Sequence, residues 1–330
     1  MSDADRVARV MALGFTERQA RFLVTVMLHG GVCIQRQYCT SAQLVHGDKT
    51  RAFFRDLVAK RYATAYPCGK RGARVYHVHA RPLYAAIGEP DDRHRRRMAV
   101  GRAIEGLIIL DAVLAAPSVR WLSTAHEKVA YFTQKTPLRP DDLPKLVFHN
   151  GGGRTVRHFP DKLPIGVHPD RDTHEFVYVV NRHVPVDFRP YLYRHARLLS
   201  ALPAWIIRLV VPPHLEEAAV PFARACEEEL GTRLAPSTVE ELRWYFQTRR
   251  ALSKTPTPEF DRERFGRARR AFGAPRYRVL YRHWLTHGNS LLNALDSPVL
   301  PDALASGTGR IESHVVERQY AHLTPLVGTA

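Results

Sequence analysis

Three helix-patterned stretches followed directly by two β-patterned runs fill residues 1–88, and this order limits what the N-terminal part can fold into more than any other feature. In "FTERQARFLVTVMLHGG", Thr16 and Gln19 form a T-x-x-Q capping pattern, and Phe22, Leu23, Val26 and Met27 recur at helical spacing before Gly30-Gly31 ends the run. "QRQYCTSAQL" reads as a short second helix. "DKTRAFFRDLVAKRY" reads as a third, with Phe54, Leu57, Val58 and Tyr62 on its buried side and Lys49, Arg51, Arg55 and Lys60 on the opposite side and its edges. "ATAYPCGKRGARVYHVH" then gives a hairpin whose glycines permit a tight turn and whose tip is cationic. The expectation is an N-terminal winged helix-turn-helix.

Charge points the same way. The chain has 49 Lys and Arg against 32 Asp and Glu, a formal net charge of +17, so a phosphate-rich partner comes first among function classes. A helix about 10–12 Å across fits a major groove about 12 Å wide, with the hairpin lying along adjacent phosphates. The candidate nucleic-acid contacts are Arg36, Lys49, Thr50, Arg51, Arg55, Lys60, Lys70, Arg71 and Arg74. Base contacts and phosphate contacts are not separable from one sequence. The competing reading is a protein-protein module with a solvated cationic face.

Cys33, Cys39, Cys68 and Cys226 form no C-x-x-C pair and no zinc spacing, so buried free thiols in a reducing compartment are expected. With no long apolar run and no signal-like N-terminus, the expected location is cytoplasmic, away from membranes. "EPDDRHRRRMAVG" reads as a solvated connection whose arginines could touch a phosphate backbone. "AIEGLIILDAVLAAP" is a strongly apolar helix, suited to packing between domains or to a homodimer seam, and "WLSTAHEKVAYFTQ" continues helically.

From Leu146 the texture changes to short β runs, "KLVFHNGGGRTVRHFP", "LPIGV" and "HEFVYVVN". A helix "PYLYRHARLLSAL", an apolar strand "AWIIRLVVP" and a helix "HLEEAAVPFARACEEELG" follow, the order of an α/β core. With Pro160-Asp161 before the hairpin, the chain resembles the replication-relaxation family of mobile elements, whose C-terminal part is similar to the PD-(D/E)xK restriction-endonuclease-like fold. The resemblance spans about residues 15–230 and implies a DNA-binding regulator or a replication or conjugation accessory factor.

The acids depart from a hydrolytic pattern. In "VVNRH", Val179 and Asn181 stand where the family often has carboxylates. If the hairpin turns near Pro169 to Asp172, paired residues sum to about 341, setting Asp161 opposite Val180 and Glu175 opposite Gly166. At about 3.4 Å per residue the two acids are then too far apart to share one metal. Reading Glu175 as the second acid leaves Val177 where a lysine is needed. The expected domain is a degenerate, restriction-endonuclease-like α/β domain with no metal and no cofactor. The alternative is a metal-dependent DNA nuclease using Asp161 and Glu175, and a third reading is an RNA-binding or protein-scaffold module.

In the last hundred residues, "ELRWYFQTRRALSK" and "APRYRVLYRHWLTHGNSLLNAL" interleave Arg with Trp and Tyr, suiting either phosphate contact with base stacking or a plain helical core. Tyr320 has a passing likeness to the nucleophile of tyrosine recombinases, but Thr286 stands where an arginine would be required. The reading is a multidomain α+β and α/β chain: residues 1–88 the winged helix, 89–145 a linker and helical connector, 146–235 the endonuclease-like α/β domain and 236–330 a basic C-terminal helical region. Its expected partner is double-stranded DNA.

Overall fold

In the computed structural model, which describes residues 1–68, 73–150, 153–253, 260–317 and 320, α1 (Asp3–Met11) starts at a Ser2–Asp5 capping box and α2 (Glu17–His29) at the predicted one. There the Thr16 amide donates to Gln19 Oε1 at 3.0 Å, and the Gln19 amide returns a bond to Thr16 Oγ1. These bonds satisfy amides that the first helical turn leaves without partners. Next come β1 (Val32–Cys33), α3 (Gln35–Ala42), α4 (Asp48–Ala59), β2 (Ala63–Pro67), β3 (Arg74–Val78) and α5 (Arg81–Ala86). The strands form an antiparallel sheet in the order β1-β3-β2. Phe22, Tyr38, Phe53, Phe54 and Tyr76 fill the space between helices and sheet, with the Phe54 and Tyr76 rings 4.3 Å apart.

The buried stripe of α4 differs from the expected one. Thr50, Phe53, Phe54 and Leu57 point inward, an i, i+3, i+4, i+7 series, whereas Val58 is 37% exposed.

α6 (Val100–Ala115) packs between the N-terminal unit and the rest of the chain, the first of the two roles left open for it. Its Leu107 and Val113 share a core with Val32 and Val75 on one side and with Val177, Val179 and Val210 on the other. Glycine makes the approach: a Cβ at Gly30 would sit 2.9 Å from the Cα of Gly106, so the end of α2 and the middle of α6 touch backbone to backbone.

Beyond it, the "WL" expected to be helical forms β4 (Arg120–Leu122). The helix begins only after Thr124, whose hydroxyl accepts from the Glu127 amide at 3.1 Å and opens α7 (Ala125–Lys135). β5 (Lys145–Asn150) and β6 (Gly153–His158) make a separate two-stranded sheet. β7 (Ile165–His168), β8 (Thr173–Val179), α8 (Phe188–Ser200), β9 (Ala204–Val211) and α9 (Ala219–Cys226) supply the expected strand, strand, helix, strand, helix series. Their hairpin register is the predicted one, with Ile165 opposite Phe176 and Gly166 opposite Glu175. β8 and β9 run parallel across the α8 crossover, and every residue of β8 is buried, as a strand covered on both faces requires.

After β9 the chain forms α10 (Pro236–Leu252), α11 (Arg262–Ala271), α12 (Pro275–His287), α13 (Asn289–Asp296) and α14 (Val299–Ser306), then returns as β10 (Gly309–Val315), parallel to β9. The completed sheet has the order β10-β9-β8-β7-β4. Both edge strands therefore come from outside residues 146–235, and the helical region is inserted between two neighbouring strands. The aromatics Tyr245, Phe246, Tyr281 and Trp284 are buried in the core of that region rather than presented for base stacking. The protein is a multidomain α+β chain, and among the described residues no helix is long and apolar enough to cross a membrane.

Candidate functional site

The outer face of α4 is the first candidate. Lys49, Arg51 and Arg55 are exposed on it, and Lys60 follows at its end with its ammonium 5.8 Å from the Phe15 ring centre. Acids are interspersed: Asp48 pairs with Arg51 at 2.7 Å, and Asp56 is exposed on the same helix. Arg74 is exposed at the start of β3, while Lys70 and Arg71 lie outside the described residues.

Two of the expected contacts are used inside the fold. Thr50 is 1% exposed and its hydroxyl lies 3.5 Å from Cys39 Sγ, so the expectation that it reaches a ligand is corrected. It occupies the core stripe of α4, where a Thr can fill the place of a Val. Arg36 donates to Asp111 of α6 at 2.8 Å and to the Tyr320 hydroxyl at 2.6 Å. Tyr320 in turn donates to Asp111, and Gln37 reaches the same carboxylate at 3.0 Å. Tyr320 is 5% exposed, and burial with the Asp111 charge raises its phenol pKa, the opposite of what an attacking phenolate needs.

The two candidate acids have separate partners. Asp161, expected opposite Val180, lies outside the ladder in a turn where Phe159 and Lys162 have positive φ, because β7 begins only at Ile165. Its carboxylate accepts from Arg194 of α8 at 2.5 and 3.3 Å. Glu175 on β8 is ion-paired with Arg208 of β9 at 3.0 Å and bonded to His168 at 2.9 Å. Among the described residues, no group of three or more His, Cys, Asp or Glu side chains is arranged to hold a metal ion.

The third feature was not anticipated: a cleft of about 1070 Å³ between the end of α2, the 89–98 connection, α6, the start of α7 and the 157–163 turn. Its wall carries Arg93, Arg96, Arg97, Arg102, Arg157 and Lys162, and among the described residues none of these makes an ion pair with a carboxylate. Crowding shows in their chemistry. Burial, then the neighbouring Arg102, lower the pKa of Arg93, and burial, then Arg93, lower that of Lys162.

At the same cleft, Lys128 is 1% exposed and donates to the Leu163 carbonyl at 2.7 Å. Burial brings its pKa down to about 7. His29, whose ring bonds Ser123 Oγ at 3.1 Å, is pushed by burial and by Lys128 to about 3. Carboxylates line the cleft as well: Asp92 and Glu105 act on Arg93, and Asp92 and Glu89 on Lys162, while Asp161 is held by Arg194 and Asp92 also caps the His94 amide at 2.6 Å. Glu89 and Glu105 have raised pKa values because burial disfavours their charged form. The one sequence signal for this cleft is the arginine run of the linker.

Neither a protein-family model, a curated protein nor a solved structure matches this chain.

Proposed function

We propose that the chain is a double-stranded DNA-binding protein whose N-terminal unit is a winged helix and whose α/β body is a restriction-endonuclease-like fold retained without its hydrolytic site. The carrying observation is α4: Lys49, Arg51 and Arg55 face outward while Phe53, Phe54 and Leu57 anchor the helix from behind. The order helix, short strand, helix, helix, hairpin supports the winged-helix reading, with the strands paired β1-β3-β2. In that arrangement α4 is the helix that enters the major groove, and the β2–β3 hairpin runs along the phosphates. Arg74 stands at the turn end of that hairpin, opposite Pro67.

The reading of the body rests on its acids. Hydrolysis needs carboxylates converging on a divalent ion. Asp161 and Glu175 are instead each bound to an arginine, Arg194 and Arg208. By its resemblance to the replication-relaxation family, the protein serves a mobile element as a transcriptional regulator or as an accessory factor in replication or conjugation.

The test is duplex binding by fluorescence anisotropy across a salt series. Each phosphate contact contributes about −0.9 to the slope of log K against log salt. The triple variant K49E/R51E/R55E is expected to abolish measurable duplex binding while its melting temperature stays within a few degrees of the parent. Unchanged affinity in a folded triple variant removes α4 from the interface and the proposal with it.

A further inference from the structure

We propose that the cleft between α2, α6 and α7 is a binding site for a small phosphorylated ligand of nucleotide size, its phosphates held by Arg93, Arg102, Arg157 and Lys162.

Size comes first. At about 1070 Å³ the cleft is slightly larger than the roughly 300–1000 Å³ typical of small-molecule sites. A duplex lies along a surface and offers grooves about 12 Å wide to protein elements rather than entering a cleft.

Charge comes second. Several part-buried arginines elsewhere in the fold are matched to carboxylates, as Arg194 is to Asp161, Arg208 to Glu175 and Arg36 to Asp111. Among the described residues the cleft cations make no ion pair with a carboxylate, although Asp92, Glu105 and Glu89 lie near Arg93 and Lys162, and they converge from separate segments: Arg93 from the connection after α5, Arg102 from α6, Arg157 from β6 and Lys162 from the turn before β7. Repulsion among like charges brought together is relieved when an anion enters. Guanidinium groups match phosphate oxygens in a two-pronged geometry that a halide cannot use.

Lys128 is the third observation. It is a buried ammonium at the cleft, hydrogen-bonded to one carbonyl, with no carboxylate within ion-pair distance among the described residues. Burial has brought its pKa down to about 7, and an anion entering the cleft would favour its charged form. Met27, Met98 and Ile109 also line the space, which favours a ligand with an apolar or aromatic body beside its phosphates.

The experiment is calorimetric titration of the full chain with ATP and with inorganic triphosphate, at constant ionic strength, with sodium sulfate and a five-nucleotide single strand as parallel arms. ATP is expected to bind one per chain. The pairs R93A/R102A and R157A/K162A, all at non-core positions, should each weaken it at least tenfold while retaining the parent circular dichroism. Sulfate at equal ionic strength should not compete. No saturable binding of either phosphate compound, or binding insensitive to both pairs, overturns the proposal. Tighter binding of the oligonucleotide than of ATP, with the same dependence on both pairs, overturns the small-ligand assignment in favour of a nucleic-acid strand. The proposal does not rest on the role of α4: K49E/R51E/R55E should leave ATP affinity within twofold, so failure of one reading is distinguishable from failure of the other.

Discussion

Asp161 and Arg194 meet in a two-pronged ion pair, with Arg194 Nη2 2.5 Å from one carboxylate oxygen and Nε 3.3 Å from the other. The arginine side chain is 10% exposed, so removing the acid strands a nearly buried charge. Asp161→Ala is therefore expected to cost about 2 kcal/mol in urea denaturation, the scale of a charged hydrogen bond lost with its partner left behind. A carboxylate kept for metal binding behaves otherwise, since removing it relieves repulsion and Mg²⁺ stabilises only the parent. A parent melting temperature that rises with millimolar Mg²⁺, and an Asp161→Ala variant that melts no lower, would restore the nuclease reading.

Glu229 carries a second prediction. Its side chain is fully buried and is bound by Arg189 and Tyr193 of α8, while Arg276 of α12 lies 3.0 Å away. It thereby ties the crossover helix of the α/β sheet to the inserted helical region. Glu229→Ala leaves Arg276 without its anion and Arg189 with Glu228 alone, and is expected to cost about 3 kcal/mol, against a smaller loss for Glu229→Gln. Equal urea midpoints for the two variants would show that the charge itself contributes nothing.

Local signals in the sequence carried a good part of this fold. The Thr16 and Gln19 box and the hairpin pairing of Gly166 with Glu175 depend on residues close together in the chain, so spacing and turn chemistry sufficed. The edge strands were not legible, because β4 pairs with β7 and β10 with β9 over long separations and both runs are short or polar. Thr50, named among the candidate contacts, opens the series 50, 53, 54, 57 that defines the core face of α4. The cleft stayed hidden for a related reason. An arginine run in a linker reads as solvated until tertiary structure sets Arg157 and Lys162 across from it.

Acid should weaken the fold before carboxylates titrate. His29 and His195 are 8% and 3% exposed, and burial pushes their imidazolium groups down to about 3 and about 4. In the unfolded chain a histidine titrates near 6.5, so between the two values the unfolded state binds more protons. Stability from these groups is complete above about pH 6.5 and is lost as pH falls below it. Each contributes a loss of about 1.4 kcal/mol at pH 5.5. Lys128 has the same sign in a higher window: with its folded value near 7, stability continues to rise from there towards the unfolded value of about 10.4. Urea denaturation at pH 5.5, 7 and 9 measures both limbs. Lys128→Met should flatten the alkaline limb, against the opposing loss from the buried thiols Cys33 and Cys226, and an identical change between pH 7 and 9 in parent and variant would show that this ammonium is not buried.

Thr50 and its neighbours on α4 allow a comparison within one turn of helix. Lys49 and Arg51 are exposed and Thr50 is in the core, so adjacent substitutions should separate binding from stability. Lys49→Ala is expected to lower the magnitude of the duplex salt slope by about 0.9 with little change in melting temperature, the signature of one phosphate contact removed. Thr50→Val should leave duplex affinity within twofold, since the hydroxyl faces Cys39 at 3.5 Å rather than solvent. Thr50→Arg cannot add a contact without opening the core around Phe53 and Phe54, and should lose folded protein instead of gaining affinity. A folded Thr50→Arg protein that bound duplex more tightly would mean that α4 sits in a different rotation, with its 50/53/54/57 face turned to the ligand.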